Sequence, residues 1–91
     1  MQIFVTKFFN INEIIPPLKY NTITYTININ ENDVYINIGE LKNKIEIKTG
    51  FLAKEMRFIF NGKQLCDDYC LDHYGITNFS TIHWFQRLRG D

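Results

Sequence analysis

The most regular pattern in the sequence is the strict alternation of apolar and polar residues from position 22 to position 29. The apolar residues that share one side are Ile23, Tyr25, Ile27 and Ile29. Because successive side chains of a strand point to opposite faces, this pattern predicts a β-strand with one buried and one solvent-exposed face. The fold must therefore contain a sheet with one covered side.

Further strands are predicted at 1–6, 56–60 and 81–85, where hydrophobic residues alternate or strand-forming residues cluster. The dipeptide Asn61-Gly62 follows the second of these, and it favours a two-residue hairpin turn. Lys63-Gln64-Leu65 would then return as a short strand. Leu71, Tyr74 and Ile76 are the expected inward anchors of the polar stretch that follows.

One amphipathic helix is predicted over residues 38–48. Its apolar stripe consists of Ile38, Leu41 and Ile45. Asn37 is placed to cap its start with Glu40 three residues later, and Gly50 to end it. The order of elements indicates an α+β fold, with a mixed sheet of four to five strands and one helix packed on one face.

A long connection, residues 7–21, separates the first two strands, and Pro16-Pro17 excludes a regular helix or central strand within it. The segment is also rich in hydrophobic residues. Two interpretations remain open. The loop either folds over its own sheet as additional core, or forms an extension that binds a partner.

Composition narrows the classes of function. The chain has 91 residues, enough for one small domain, and its ten Lys+Arg balance ten Asp+Glu. This neutrality argues against a broad basic surface for nucleic acid and leaves only a local patch open. With no long apolar run and no signal-peptide pattern, no membrane association is expected. Two cysteines are too few for a disulfide scaffold, which favours a location in the cytoplasm and nucleus. We also expect a monomer.

Motifs for catalysis or cofactor binding are missing from the sequence. Its glycines stand far apart, so no phosphate-binding loop is predicted, and Ser80 is its only serine. Cys66, Cys70 and His73 resemble part of a metal site, but zinc needs about four ligands, and His83 is expected to face solvent on a strand. We therefore expect no enzymatic activity, no cofactor and no metal.

Three short blocks, read together, resemble the ubiquitin family. Met1-Gln2-Ile3-Phe4-Val5 begins the chain, Gly62-Lys63-Gln64-Leu65 follows a Phe-Ile-Phe strand, and Arg87-Leu88-Arg89-Gly90 lies near the end. The resemblance departs at insertions within 8–21 and within 29–36. It implies the ubiquitin-like β-grasp fold, with a domain over 1–86 and a flexible C-terminal tail over 87–91.

The resemblance also implies a receptor-binding patch. The matching positions are Ile59, His83 and Phe85, flanked by Gly62, Lys63 and Arg57. The first loop of ubiquitin lends a leucine to this patch, and either Phe8 or Phe9 stands at the corresponding place. Alternation supports the assignment independently, since a helix covering Ile82 and Trp84 would leave the opposite face of that strand in water. The alternative is that the long first loop covers Phe85.

Attachment sites follow from the resemblance as well. The tail used for conjugation and processing corresponds to Arg87, Leu88, Arg89, Gly90 and Asp91, where Asp91 replaces the family's terminal glycine. The lysines that match acceptors of further modifier molecules are Lys63, Lys42, Lys44 and Lys48. The acceptor on the loop before the last strand is replaced by Asn78.

Three functions remain open. The first is a protein modifier attached through its tail, directly or after removal of Asp91. The second is a non-conjugated mimic that binds ubiquitin receptors or processing enzymes, and the third is a scaffold in an unrelated assembly. The implied partners are ubiquitin-activating and -conjugating enzymes, deubiquitinating enzymes, ubiquitin-binding domains and substrate lysines.

Overall fold

The computed structural model describes residues 1–9, 22–33 and 35–86. They form a five-stranded mixed sheet and one α-helix. The elements are β1 (Gln2–Phe8), β2 (Thr22–Asn28), α1 (Ile38–Thr49), β3 (Met56–Phe60), β4 (Lys63–Gln64) and β5 (Thr81–Gln86). The strand order is β2-β1-β5-β3-β4, with β1 and β5 parallel and every other neighbouring pair antiparallel.

The core lies between α1 and the inner face of the sheet. The sheet contributes Ile3, Val5, Ile27, Met56, Phe58, Ile82 and Trp84, the helix Ile38, Leu41 and Ile45, and the connections Ile29, Ile36, Leu65, Leu71 and Ile76. All fifteen are buried, while Tyr74 is partly buried against them. This arrangement confirms the predicted α+β fold, the ubiquitin-like β-grasp, with one helix on one face of the sheet.

Local sequence signals fix both ends of α1 close to the predicted positions. The Asn37 side chain accepts a hydrogen bond from the Glu40 backbone N–H at 2.8 Å, which satisfies one of the donors left unpaired at a helix start. Gly50 adopts a left-handed conformation with φ of 84°, as expected of a glycine that ends a helix. The helix runs one residue further than predicted, to Thr49.

The β3–β4 hairpin confirms the turn predicted from Asn61-Gly62. Both residues have positive φ, 53° for Asn61 and 74° for Gly62. Two consecutive positive φ values define the turn whose twist matches that of antiparallel strands. As a result Phe60 pairs directly with Lys63.

Two sequence-based predictions about β1 and β2 are wrong in detail. Lys7 and Phe8 were assigned to the first loop, but they belong to β1, because the pairing of β1 with β5 continues as far as Phe8 opposite Phe85. Ile23, expected on the buried side of β2, is 44% exposed, because it lies near the end of an edge strand, opposite Lys7. The remainder of the first loop, residues 10–21, lies outside the described residues.

Candidate functional site

The candidate site is on the face of the sheet opposite α1. Alternation along β3 and β5 sends Phe58, Ile82 and Trp84 into the core, so that Ile59, His83 and Phe85 project from the other face. Ile59 pairs with His83 across the β3–β5 ladder. His83 is exposed, whereas Ile59 and Phe85 are half-buried.

Phe8 completes this surface, which we call the outer patch and define as Phe8, Ile59, His83 and Phe85. The ring of Phe8 stacks on that of Phe85, with centroids 4.9 Å apart and an interplanar angle of 9°. It also meets the His83 ring edge-on, at 5.3 Å and 81°. Both geometries are favourable for aromatic pairs, so a strand residue holds the aromatic part of the patch in a defined arrangement.

The rim of the outer patch carries positive charge. Arg57 pairs with Phe85 in the β3–β5 ladder, while Gly62 and Lys63 lie in and after the adjoining turn and are exposed. The Nε atom of Arg57 is buried, with no hydrogen-bond partner within the described ranges. A buried donor without a partner is costly, so what Arg57 contributes to the rim is the positive charge of its guanidinium group.

The four predicted acceptor lysines occupy different environments. Lys63 and Lys48 are exposed. Lys44 lies 3.9 Å from an Asp33 carboxylate oxygen at the surface. Lys42 is only 5% exposed, and its ammonium group donates to Asp67 at 2.7 Å. An acceptor amine must reach an incoming carbonyl carbon, so Lys42 would first have to leave this ion pair.

The remaining predicted positions fall into two groups. The tail, Arg87, Leu88, Arg89, Gly90 and Asp91, lies outside the described residues. Asn78, the residue in place of a loop lysine, accepts a hydrogen bond through Oδ1 from the Gln2 backbone N–H at 2.7 Å. This contact ties the loop before β5 to the start of β1.

Sequence reasoning missed a buried lysine, Lys7, which is 1% exposed. Its Nζ lies 4.1 Å from the ring centroid of Phe9, 4.8 Å from Phe51 and 5.5 Å from Trp84. Aromatic faces attract a cation at such distances. The signal was present, because Lys7 continues the alternation of Ile3 and Val5 toward the core side.

Within 1–9, 22–33 and 35–86, the structure contains no group of three or more His, Cys, Asp or Glu residues placed to hold a metal ion. In these same segments no helix has the length and apolar character needed to cross a membrane.

The sheet order and the single packed helix together define a β-grasp domain, and the outer patch is an apolar and aromatic cluster on its open sheet face. Comparison with protein families gives a match to the model described as "Ubiquitin family" over residues 18–89. The chain belongs to the ubiquitin family.

Individual relatives agree. The chain is 38% identical over 53 residues to the NEDD8-like protein RUB3 of Arabidopsis thaliana, covering 58% of this chain and 68% of that protein. It is 38% identical over 53 residues to the ubiquitin-like protein NEDD8 of Dictyostelium discoideum, covering 58% of this chain and 69% of that protein. It is 30% identical over 76 residues to ubiquitin-like protein 1 of Schizosaccharomyces pombe, covering 80% of this chain and 94% of that protein.

Proposed function

We propose that this protein is a ubiquitin-like modifier, joined to other proteins through the tail at 87–91 and recognised by ubiquitin receptors through the outer patch. The observation that carries the proposal is the family match, which extends to residue 89 and so includes most of the tail. Relatives named as NEDD8-like and ubiquitin-like proteins are consistent with this role. In this role the protein is itself a substrate of enzymes.

The outer patch supports recognition by receptors. Apolar and aromatic side chains cluster there on the sheet face not covered by α1, and such clusters are typical of binding sites. Aromatic residues and arginine are enriched among the residues that dominate binding energy. With Arg57 and Lys63 at the rim, the surface suits a partner that presents an apolar centre bordered by acidic groups.

The tail supports conjugation through its residue types. In the ubiquitin family, the C-terminal carboxylate attacks the α-phosphorus of ATP, pyrophosphate leaves, and an acyl-adenylate forms. Small glycines allow the tail to approach the enzyme closely during this step. Arg87 and Arg89 supply guanidinium groups suited to acidic surfaces of the activating enzyme. Asp91 adds a side-chain carboxylate close to the phosphates, where like charges repel.

The test is thioester formation with ubiquitin- and NEDD8-activating enzymes and ATP, followed on a non-reducing gel. Three versions are compared: one that ends at Asp91, the substitution Asp91→Gly, and one that ends at Gly90. We expect the version ending at Asp91 to react about a hundredfold more slowly than Asp91→Gly, since an extra carboxylate in a dehydrated site costs several kcal/mol and each step of about 1.4 kcal/mol corresponds to tenfold in rate.

The outcomes separate the alternatives. Equal rates for Asp91 and Asp91→Gly would contradict the charge argument and indicate an enzyme adapted to an acidic terminus. If all three versions stayed inert while a ubiquitin receptor still bound the outer patch, the non-conjugated mimic would replace the modifier. If neither thioester formation nor receptor binding were observed, the scaffold in an unrelated assembly would be the remaining function.

A further inference from the structure

A second surface, separate from the outer patch, contains a cleft of about 210 Å³ between Tyr35 and Asp72. Its lining residues are Met1, Tyr35, Asp72, Ile76, Thr77 and Asn78. We call it the Tyr35–Asp72 cleft. It combines an aromatic ring, a carboxylate and apolar surface from Met1, above the buried Ile76.

Backbone hydrogen bonds hold the two walls of the cleft together. The Leu71 N–H donates to the Ile36 carbonyl at 3.3 Å, and the Ile38 N–H donates to the Tyr69 carbonyl at 2.9 Å. The Cys70 thiol donates to the carbonyl of Tyr35 itself at 3.1 Å. Tyr35 is therefore anchored through its backbone while it remains 76% exposed.

The side chains of this region carry more negative than positive charge, and the Met1 ammonium group adds one positive charge beside the cleft. Residues 64–86 include Asp67, Asp68 and Asp72 but neither lysine nor arginine. Lys42 neutralises Asp67 at 2.7 Å, whereas Asp72 makes no ion pair among the described residues. The nearby ammonium group of Met1 donates to the Ile29 carbonyl at 2.9 Å. The cleft thus presents an exposed carboxylate next to an exposed aromatic ring.

We propose that the Tyr35–Asp72 cleft binds an arginine side chain from a basic segment of a partner protein. A guanidinium group stacks on a tyrosine ring and donates to a carboxylate in the same plane, which the compact ammonium of lysine does less well. The aliphatic stem of the arginine packs on Met1, which lines the cleft and is only partly buried, since long basic side chains bury their methylene groups on apolar surface.

A neighbouring aromatic pair extends this surface for the rest of the segment. The rings of Tyr69 and His73 stack with centroids 4.3 Å apart and an interplanar angle of 13°. Both residues are exposed, and Tyr69 precedes the cysteine whose thiol contacts Tyr35. A second basic side chain of the same segment would lie over this pair.

The test uses the full-length protein with labelled tetra-arginine, tetralysine and tetracitrulline peptides, measured by fluorescence anisotropy at low salt. We expect the affinity to decrease from the tetra-arginine to the tetralysine to the tetracitrulline peptide. Asp72→Asn is compared with Asp68→Asn, which changes the net charge equally on the same loop but does not line the cleft. Both residues are exposed, so circular dichroism should show both variants folded.

We expect Asp72→Asn to weaken tetra-arginine binding about fivefold and Asp68→Asn less than twofold. Tyr35→Leu should weaken it about threefold, because the aliphatic residue removes the cation–π contact. Amide chemical shifts at Tyr35, Asp72 and Asn78 should move on titration. The outer-patch substitution Ile59→Ala should leave the affinity unchanged, which separates this proposal from receptor recognition.

Three results would overturn the proposal. Equal losses for Asp72→Asn and Asp68→Asn would show a diffuse electrostatic attraction, and absence of saturable arginine binding would show no site. Self-association in sedimentation experiments that Asp72→Asn abolishes would mean that a second copy of this chain, through its own arginine, is the occupant.

Discussion

The two faces of strand β5 differ completely in environment although their residues alternate along the chain. On the inner face, Ile82 and Trp84 are fully buried. On the outer face, His83 is exposed and Phe85 is covered only in part, with Phe8 stacked upon it. Both faces are aromatic, so hydrophobicity alone does not separate the residues that stabilise the fold from those available for binding.

The distinction lies in the surroundings of the rings. Trp84 contacts Tyr25, Phe51 and Phe58 on the core side, and a large buried ring of this kind contributes mainly to stability. The Phe8–Phe85 stack lies on the face of the sheet opposite α1, and among the described residues no helix covers it. Substitutions on the inner face should therefore affect unfolding, and those on the outer face binding.

The largest effect is expected from Trp84→Ala. Removal of a fully buried aromatic side chain leaves a cavity, and we expect the free energy of unfolding to fall by about 3–5 kcal/mol. Chemical denaturation measures this loss. A decrease below about 1 kcal/mol would show that the inner face of β5 does not dominate the core, and the comparison of the two faces would fail.

The next effect concerns binding at the outer face. Ile59→Ala should weaken binding to a ubiquitin-receptor helix by about 1–3 kcal/mol, as for a central apolar anchor, with little loss of stability. Isothermal titration and thermal unfolding measure the two quantities. The matched control is Ile47→Ala on α1, since Ile47 is 87% exposed and should alter neither. An unchanged dissociation constant with a large drop in melting temperature would place Ile59 in the core.

A smaller effect is expected from Trp84→Phe. The indole Nε1 of Trp84 is buried with no hydrogen-bond partner in the described segments. Phenylalanine gives up packing area but removes this unsatisfied donor, which by itself costs about 1–3 kcal/mol. The net decrease in unfolding free energy should be at most about 1.5 kcal/mol, measured beside Trp84→Ala. Equal losses for the two substitutions would contradict this account of the indole.

The smallest effect is expected from Phe8→Leu. This substitution keeps an apolar residue in the outer patch but removes the stack on Phe85. Such aromatic pairs contribute about 0.5–1.5 kcal/mol beyond the contribution of their buried surface area. Receptor affinity should fall within that range. Phe79→Leu is the control, because Phe79 stacks on Phe4, at 6.3 Å, away from the patch. If both substitutions weakened binding equally, the receptor surface would extend along the sheet.

Much of the fold could be predicted because its signals are local. Alternation identified β2 and β5, Asn37 and Gly50 marked the ends of α1, and Asn61-Gly62 specified the hairpin turn. Each signal acts through backbone geometry within a few residues. The end of β1 was predicted less well, since Lys7 and Phe8 extend the strand only because β5 lies alongside.

The candidate site was predicted in part. Strand periodicity and the family resemblance selected Ile59, His83 and Phe85, and the structure places them on one face of the sheet. The resemblance could not show that Lys42 is buried against Asp67. The Tyr35–Asp72 cleft has no sequence signature, since its two defining residues are far apart in the chain.

The sequence by itself determined the strands, the helix with its ends, and the side of each strand that faces the core, because these depend on periodicities of two and 3.6 residues and on local backbone preferences. Only the tertiary structure decided which distant side chains meet: Phe8 with Phe85, Lys42 with Asp67, and Tyr35 beside Asp72. Such contacts depend on sheet order and loop packing. No local pattern encodes them, because they form only when the whole core is assembled.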